Sequence, residues 1–338
     1  MKLIALKDVC KINMGQSPNS SSYNDYGDGM PFFQGNADFG ERYPITRVWC
    51  NTPTKIAQAE DILISVRAPI GALNYAKEEC CIGRGLAAIT PDRNKVSQDF
   101  IYWALKGKKA ELNDKGNGST FKAISRKILE ETMIPDINFE QQHKCAENLE
   151  KIYGIIQNRR KELLALDDLI KARFVEMFGS PVSNPMSWEK RTLKEVCIKL
   201  NDGSHFSPES FETGDYKYVT AKNIKFSGFD FSNITYVPEA VHRPIFDRCN
   251  PEFEDVLYIK DGATTGVAIV NTLDEEFTLL SSVALLKQDR SIMNGYFLAT
   301  LLNNKDMYLN IRNNMGGAAI TRLTIAKLNA IEIIVPPI

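Results

Sequence analysis

The sequence predicts an α+β chain in which two homologous domains, at 1–138 and 181–338, are separated by a long coiled-coil-type helix at 139–180. Three observations predict it. Short segments recur in the same order in both halves, each half mixes strand-like with helix-like runs, and the stretch between them has a strong helix-forming composition.

The recurrence begins with Leu6-Lys7-Asp8-Val9-Cys10 and Leu193-Lys194-Glu195-Val196-Cys197. Glu60-Asp61-Ile62-Leu63 then matches Glu254-Asp255-Val256-Leu257, and Gly71 matches Gly266. Lys109, Ile124 and Arg126 align with Lys305, Ile320 and Arg322, and Ile134-Pro135 aligns with Val335-Pro336. The offset drifts from 187 to 201, as it does when one ancestral domain acquires loops of different length. In each copy a Gly/Ser/Pro turn (Gly15 to Pro18; Gly203 to Pro208) leads into strand-like runs such as Ile62 to Val66 and Val267 to Val270. A helix is expected at 98–113, capped by Ser97, with Phe100, Ile101, Ala104, Leu105 and Leu112 inward. Its counterpart is expected at 294–312, with Phe297, Leu301 and Leu302 inward. A small-residue polar loop and a closing strand ending at proline complete each copy.

Between the copies, residues 140–178 contain no proline and one glycine, Gly154. Leu149, Ile152, Ile156, Leu163, Leu166 and Ile170 follow three- and four-residue steps, the seam of a coiled coil, which Arg159 and Arg173 interrupt. Such a helix would be about 55 Å long. By the same repeat a second helix would follow Val335-Pro336-Pro337-Ile338, where the sequence ends. The long helix is therefore expected to lack an intramolecular partner of its own kind.

Composition narrows the function classes. No apolar run approaches the roughly 20 residues of a membrane span, so no membrane partner is expected and a cytoplasmic location is the default. The seven cysteines form no CxxC pair, which points to reduced, mostly buried thiols and to no metal site. His143, His205 and His242 lack the surroundings of a triad, and no nucleotide, cofactor or S-adenosylmethionine signature is present, so neither catalytic residues nor cofactors are expected. Net charge is −1, distributed as +2, 0 and −3 over the three segments. Any field that attracts nucleic acid must be local or supplied by a partner.

The order of domain, Pro-bounded Phe139-Glu140-Gln141-Gln142 helix, second domain and Pro-Pro close resembles the DNA-specificity (S) subunit of type I restriction–modification enzymes. Leu6 to Cys10 with Gly15-Gln16-Ser17-Pro18, Phe33-Gln34-Gly35-Asn36 and Asp61 to Arg67 carry the likeness, which covers essentially the whole chain. It implies two target-recognition domains, each reading one half of a split double-stranded DNA site. It also implies a helical spacer that docks methyltransferase subunits and, through them, restriction subunits. Methylation and cleavage would belong to those partners. The sequence departs from the family in having no distal conserved helix after Ile338, which makes a homodimer through the unpaired central helix one expected way of completing the spacer.

A helix of about 55 Å matches roughly 16 base steps, which suits two half-sites with an unread gap. Polar side chains on turns are the candidates for DNA contact: in the first domain Gln16, Ser17, Gln34, Asn36, Arg67, Asn117, Ser119, Thr120 and Lys122. In the second they are Ser204, His205, Thr220, Lys222, Asn223, Lys260, Thr264, Thr265, Arg312, Asn313 and Arg322. Gln and Asn suit adenine and Arg suits guanine, whereas most such residues on any protein simply populate solvated turns. The Arg67-Ala68-Pro69-Ile70-Gly71 and Lys260 to Gly266 segments are expected to be hairpin tips facing DNA, and the Gly-Arg-Gly at 83–85 is too short to interpret. Two other classes compete: a truncated scaffold with reduced or partner-dependent DNA recognition, and an enzyme acting on another polymer.

Overall fold

A computed structural model describes residues 2–117, 122–313, 315 and 322–337. The chain divides into two units, Met1–Arg160 and Lys161–Ile338, with mixed helix and strand in each.

The first unit is built on a four-stranded antiparallel sheet in the order Cys10–Met14, Leu86–Pro91, Ile62–Ser65, Leu73–Tyr75. Ile62 and Ile64 pack into one core with Leu6, Ile89, Ile101, Leu105, Leu129 and Ile134. Leu63, between them, faces a second core with Ile82, Leu86 and Ala88, as the alternation of a strand requires. Burial on both faces explains why this strand reads as an unbroken apolar run. Against it lies a second sheet whose centre is a parallel pair, Met30–Phe33 with Cys80–Ile82. Leu3–Ala5 and Met133–Pro135 close the unit as an antiparallel pair.

The second unit repeats this plan. Its sheet runs Cys197–Asp202, Val283–Gln288, Val256–Ile259, Ala268–Val270, again antiparallel throughout. The parallel pair recurs as Tyr216–Val219 with Phe277–Leu279, and the closing pair as Glu189–Thr192 with Glu332–Val335. The recurring Glu-Asp dipeptide is a turn device. Glu60 and Glu254 adopt left-handed φ values of 70° and 69°. The following aspartate accepts a backbone hydrogen bond in both units, Gln58 N to Asp61 Oδ2 at 2.9 Å and Glu252 N to Asp255 Oδ2 at 2.8 Å.

Three expectations are corrected. The helix expected over 98–113 is two, Gln98–Gly107 and Lys109–Asp114, and its counterpart is Gly295–Asn303 followed by Lys305–Asn313. Each break is a single residue, Lys108 or Asn304, and the helices on either side of it contribute to one core, Leu105 with Leu112 and Leu301 with Ile311. The alignment of the closing segments also shifts. Ile124 N bonds Val66 O and Leu323 N bonds Lys260 O, so Ile124 corresponds to Leu323 and not to Ile320, which lies outside the described residues. From there the offset stays at 199, and Ile134-Pro135 corresponds to Ile333-Ile334.

Phe139–Phe178 is one 40-residue helix between the domains. Asn138 caps it by accepting from Gln141 N at 2.9 Å. Gln142, buried, then ties it to the first unit, its Oε1 accepting from Ser97 N at 2.7 Å and its Nε2 donating to Ile137 O at 2.8 Å. Glu150 pairs with Arg42, and Tyr153 packs edge-on against Trp103 with the Lys106 ammonium 3.8 Å from its ring centre. At the other end Phe174 and Phe178 pack on Phe297 within the second unit, and Gly179, at φ 74°, stops the helix. Between these anchors the predicted seam stands out of the chain's own cores: Leu149, Ile152, Ile156, Leu163, Leu166 and Ile170 are 42–63% exposed.

Candidate nucleic-acid interface

In the first unit five loops that are distant in sequence are sewn into one edge by backbone hydrogen bonds. Gln16 N donates to Ile82 O at 3.0 Å, Gly83 N to Phe33 O at 2.8 Å and Gly85 N to Gln34 O at 3.1 Å. Val66 N donates to Gly85 O at 2.9 Å, and Ala68 N to Lys122 O at 3.1 Å. The segments around 16, 34, 67 and 84, together with Asn117, Lys122 and Ala123, therefore share a single edge. The glycines at 83 and 85 permit it, because a Cβ at residue 85 would lie 2.5 Å from Gln34 O.

This edge assembles most of the expected residues of the unit. Gln16, Gln34, Arg67, Asn117 and Lys122 are exposed there. Ser17 and Gln34 are joined side chain to side chain at 2.9 Å, and Asn36 opens the 3-10 turn Asn36–Asp38, whose Asp38 accepts from Gln34 N at 2.7 Å. Ser119 and Thr120 lie outside the described residues. Arg84 belongs to the edge and was not identified from the sequence; its backbone N donates to Ser17 Oγ at 3.3 Å and its side chain is exposed. The Gly-Arg-Gly spacing was the available signal, and only the neighbouring loops give it meaning. Arg42, Arg93 and Arg126 are each paired with a glutamate, whereas Arg67, Arg84 and Lys122 meet no carboxylate among the described residues. That unpaired positive charge sits on one edge of a unit whose net charge is only +3.

The second unit forms the same edge with different chemistry. Ser204 N donates to Leu279 O at 2.7 Å, Leu280 N to Val219 O at 3.0 Å, Lys260 N to Ser282 O at 2.9 Å and Leu323 N to Lys260 O at 2.8 Å. His205, Lys222, Thr264, Asn313 and Arg322 are exposed on these segments, and Thr220 and Arg312 are half-buried. Arg312 ties the 262–265 tip down by donating from Nη1 to Thr265 O at 2.9 Å and Ala263 O at 3.2 Å.

Four expected contacts of this unit are corrected, because their side chains are turned inward. Ser204 is 1% exposed and its Oγ donates to Phe206 O at 2.7 Å; Asn223, at 3%, accepts from Thr220 N at 3.0 Å; Thr265, at 0%, donates to Gly262 O at 2.6 Å. They shape loops and do not face a ligand. Lys260 is the fourth, 2% exposed, with its ammonium 3.3 Å from Asp202 Oδ2 and 2.9 Å from Asp261 Oδ2. Asp202 also meets Arg248 at 3.5 Å and His205 at 3.1 Å, and Asp261 meets Arg322 at 3.3 Å. An alternating chain of charges thus runs from the core to the edge. The first unit has Met14 and Val66 at the positions of Asp202 and Lys260.

No helix among the described residues is long and apolar enough to cross a membrane, and no group of three or more His, Cys, Asp or Glu side chains there could hold a metal ion. Five of the seven cysteines are buried.

A duplicated α+β unit with a loop edge and a long intervening helix defines a class, and comparison with known proteins identifies it. The profile of the type I restriction modification DNA specificity domain matches residues 1–166 and again 185–338, so the chain belongs to that family. A Methanocaldococcus jannaschii protein, provisionally named the MjaX type I restriction enzyme specificity subunit, is 47% identical over 152 residues, covering 45% of this chain and 36% of that one. The MjaIX specificity subunit of the same organism is 24% identical over 364 residues, covering 98% and 82%. The crystal structure of the type I restriction–modification S subunit from M. genitalium has the same fold, with a TM-score of 0.56 at 16% identity over 98% of this chain and 83% of that one. The chain spans about a third of the length of the first of these relatives.

Proposed function

We propose that this chain is the DNA-reading subunit of a type I restriction–modification enzyme. Its loop edges would contact duplex DNA, one edge per half-site, with target-recognition domains at 1–138 and 181–338 and a spacer at 139–180. The observation that carries the reading is the recurrence of the edge in both units. Arg67, Arg84 and Lys122 meet no carboxylate among the described residues of the first, and Arg322, beside Asp261, and Arg312, bonded to the 262–265 tip, stand on the second. Fixed loops with glutamine, asparagine and arginine tips supply the hydrogen bonds that base edges require, while the cations hold phosphates. The two edges differ in residues, which supports an asymmetric bipartite site.

The exposed aliphatic ladder of the long helix supports the docking role. Covering what remains exposed of one such side chain is worth about 0.7–1.5 kcal/mol, roughly half the value of a fully exposed one, so several at once drive association. Methyltransferase subunits are the proposed occupants, with restriction subunits attached through them; a second copy of this chain is the alternative. Catalysis is assigned to the partners and none to this chain, which would work in the cytoplasm where the DNA is. The test is binding to random and cognate duplexes at increasing salt, for the chain alone and with its methyltransferase subunits. A steep fall of affinity with salt is expected, together with a cognate preference of at least about a thousandfold in the complex. Absence of DNA affinity in both preparations would reject the reading in favour of an assembly scaffold, which the net charge of −1 favours.

A further inference from the structure

The backbone bridge between the hairpin tip and the closing loop falls at equivalent positions in the two units, Arg67 with Ala123 and Asp261 with Arg322. Each bridge carries one guanidinium, but from opposite partners. In the first unit the hairpin supplies it and the closing loop has alanine. In the second the closing loop supplies it and the hairpin has aspartate. We propose that Arg67 and Arg322 are the guanine-reading residues of the two half-sites, and that Asp261 is a positioning residue for Arg322. The proposal deepens the DNA-reading function and rests on it.

The surroundings of Arg322 separate base reading from phosphate binding. A phosphate contact needs charge alone, and a carboxylate beside it weakens the contact by repelling the phosphate. A base contact gains from a guanidinium whose approach is restricted, because the two-pronged match to guanine O6 and N7 is geometric. Asp261 Oδ1 lies 3.3 Å from Arg322 Nε as a charge contact without hydrogen-bond alignment, so it draws the guanidinium to this side of the edge, and the fork meets no other partner among the described residues. Asp261 is itself held from behind by the Lys260 ammonium at 2.9 Å, and Lys260 by Asp202 at 3.3 Å. This fully buried lysine offsets the aspartate's charge and fixes its direction, so the edge gains an orienting group without a net negative charge. Arg322 itself is 59% exposed, free to meet a ligand. Arg67 occupies the matching bridge with no carboxylate near it, and it faces the small Ala123.

The experiment uses the full chain with its methyltransferase subunits and a duplex pool randomised across the site. Individual duplexes carrying 7-deazaguanine, which lacks the N7 acceptor, follow. Wild type should select a guanine in each half-site and lose affinity when that guanine is replaced by the deaza base. Arg322→Lys, which keeps the charge and loses the fork, should reduce discrimination at one guanine about 5- to 150-fold, with the salt dependence unchanged. Arg67→Lys should do the same in the other half-site only. Asp261→Asn should lower discrimination at the Arg322 guanine and leave the Arg67 guanine untouched, with thermal denaturation confirming that the unit is folded. The proposal is overturned if Arg322→Lys keeps full selectivity. It is equally overturned if Arg322→Ala weakens all duplexes alike and lowers the salt slope by about one, the signature of a phosphate contact. In both of those outcomes the DNA-reading function stands. A wild-type complex that selects no sequence at all removes that function, and this assignment with it.

Discussion

Lys260 shows how a residue's type can mislead when its partners are distant. In Lys260-Asp261-Gly262-Ala263-Thr264-Thr265-Gly266 it reads as one more polar residue of a turn, yet Asp202, its buried counter-ion, sits on the first strand of the sheet. Removing Lys260 leaves the buried Asp202 with only the longer contact to Arg248 and the one to His205, and losing one member of a buried pair costs up to about 3–5 kcal/mol. Lys260→Val is therefore expected to destabilise the second unit by that amount in urea denaturation. The double variant Asp202→Met with Lys260→Val installs the residues the first unit uses at these positions, and it should recover most of the loss. A double variant no more stable than the single one would contradict this account. His242 makes a second residue-scale prediction. Its ring is fully buried, stacked 3.8 Å from Tyr216, with Nδ1 2.8 Å from Thr278 Oγ1 and Nε2 3.2 Å from Glu276 Oε2. Burial lowers its pKa, against the opposing pull of Glu276. The folded state then binds the proton more weakly than the unfolded chain, whose value is about 6.5. The stabilisation is complete above about pH 6.5 and is lost as pH falls from there toward the folded value. Wild type should lose more stability between pH 7.5 and 5.5 than His242→Gln does; equal losses would remove His242 as the cause.

At the scale of elements, what the sequence showed depended on whether the deciding contacts were local. The long helix is legible almost to the residue, since its composition, its periodicity and the Gly179 that directly follows it are all local. One strand in each sheet is legible as a short apolar run, Ile62–Ser65 in the first unit and Ala268–Val270 in the second. The parallel pairing of Met30–Phe33 with Cys80–Ile82 is not, because strands so far apart in the chain leave no mark on one another's sequence. The break between Gly295–Asn303 and Lys305–Asn313 does have a local signal in Asn304, whose side chain accepts from Asp306 N at 3.0 Å and restarts the helix. Two glycines test the elements in opposite directions. Gly154 lies inside the long helix with nothing within 4 Å of an added Cβ, so Gly154→Ala should raise stability by about 1 kcal/mol. Gly85→Ala would place its Cβ 2.5 Å from Gln34 O, in backbone that cannot yield without parting two loops. A loss of about 1–3 kcal/mol is expected from the overpacking, with reduced DNA affinity if the edge is the interface. Thermal unfolding of both variants checks the pair, and a neutral Gly85→Ala would show that the loops are less tightly joined than the distances imply.

For the whole molecule, the duplication conserves the scaffold of the edge and replaces what stands on it. Gln16 corresponds to Ser204, Gln34 to Thr220, Arg84 to Ser281, Arg67 to Asp261 and Ala123 to Arg322. None of the five pairs is identical, although the backbone hydrogen bonds that place them recur. Their joint position at one edge was legible only in part, since the turns were visible one by one while the bonds joining them link distant segments. Two edges that share a framework and no side chains are expected to act on DNA independently, because Arg67 and Arg322 belong to different units and have no described partner in common. Independence has a quantitative form. The binding losses of Arg67→Lys and Arg322→Lys, expressed as free energies on the cognate duplex, should add in the double variant to within about 0.3–0.5 kcal/mol. Each single change should relax the preference in one half-site and leave the other intact, as read from the duplexes selected out of a randomised pool. A double variant whose loss departs from the sum by 1 kcal/mol or more, or a single variant that relaxes both half-sites, would mean that the two edges engage DNA as one cooperative surface. In that case the duplication would supply a longer reader, not two separate ones.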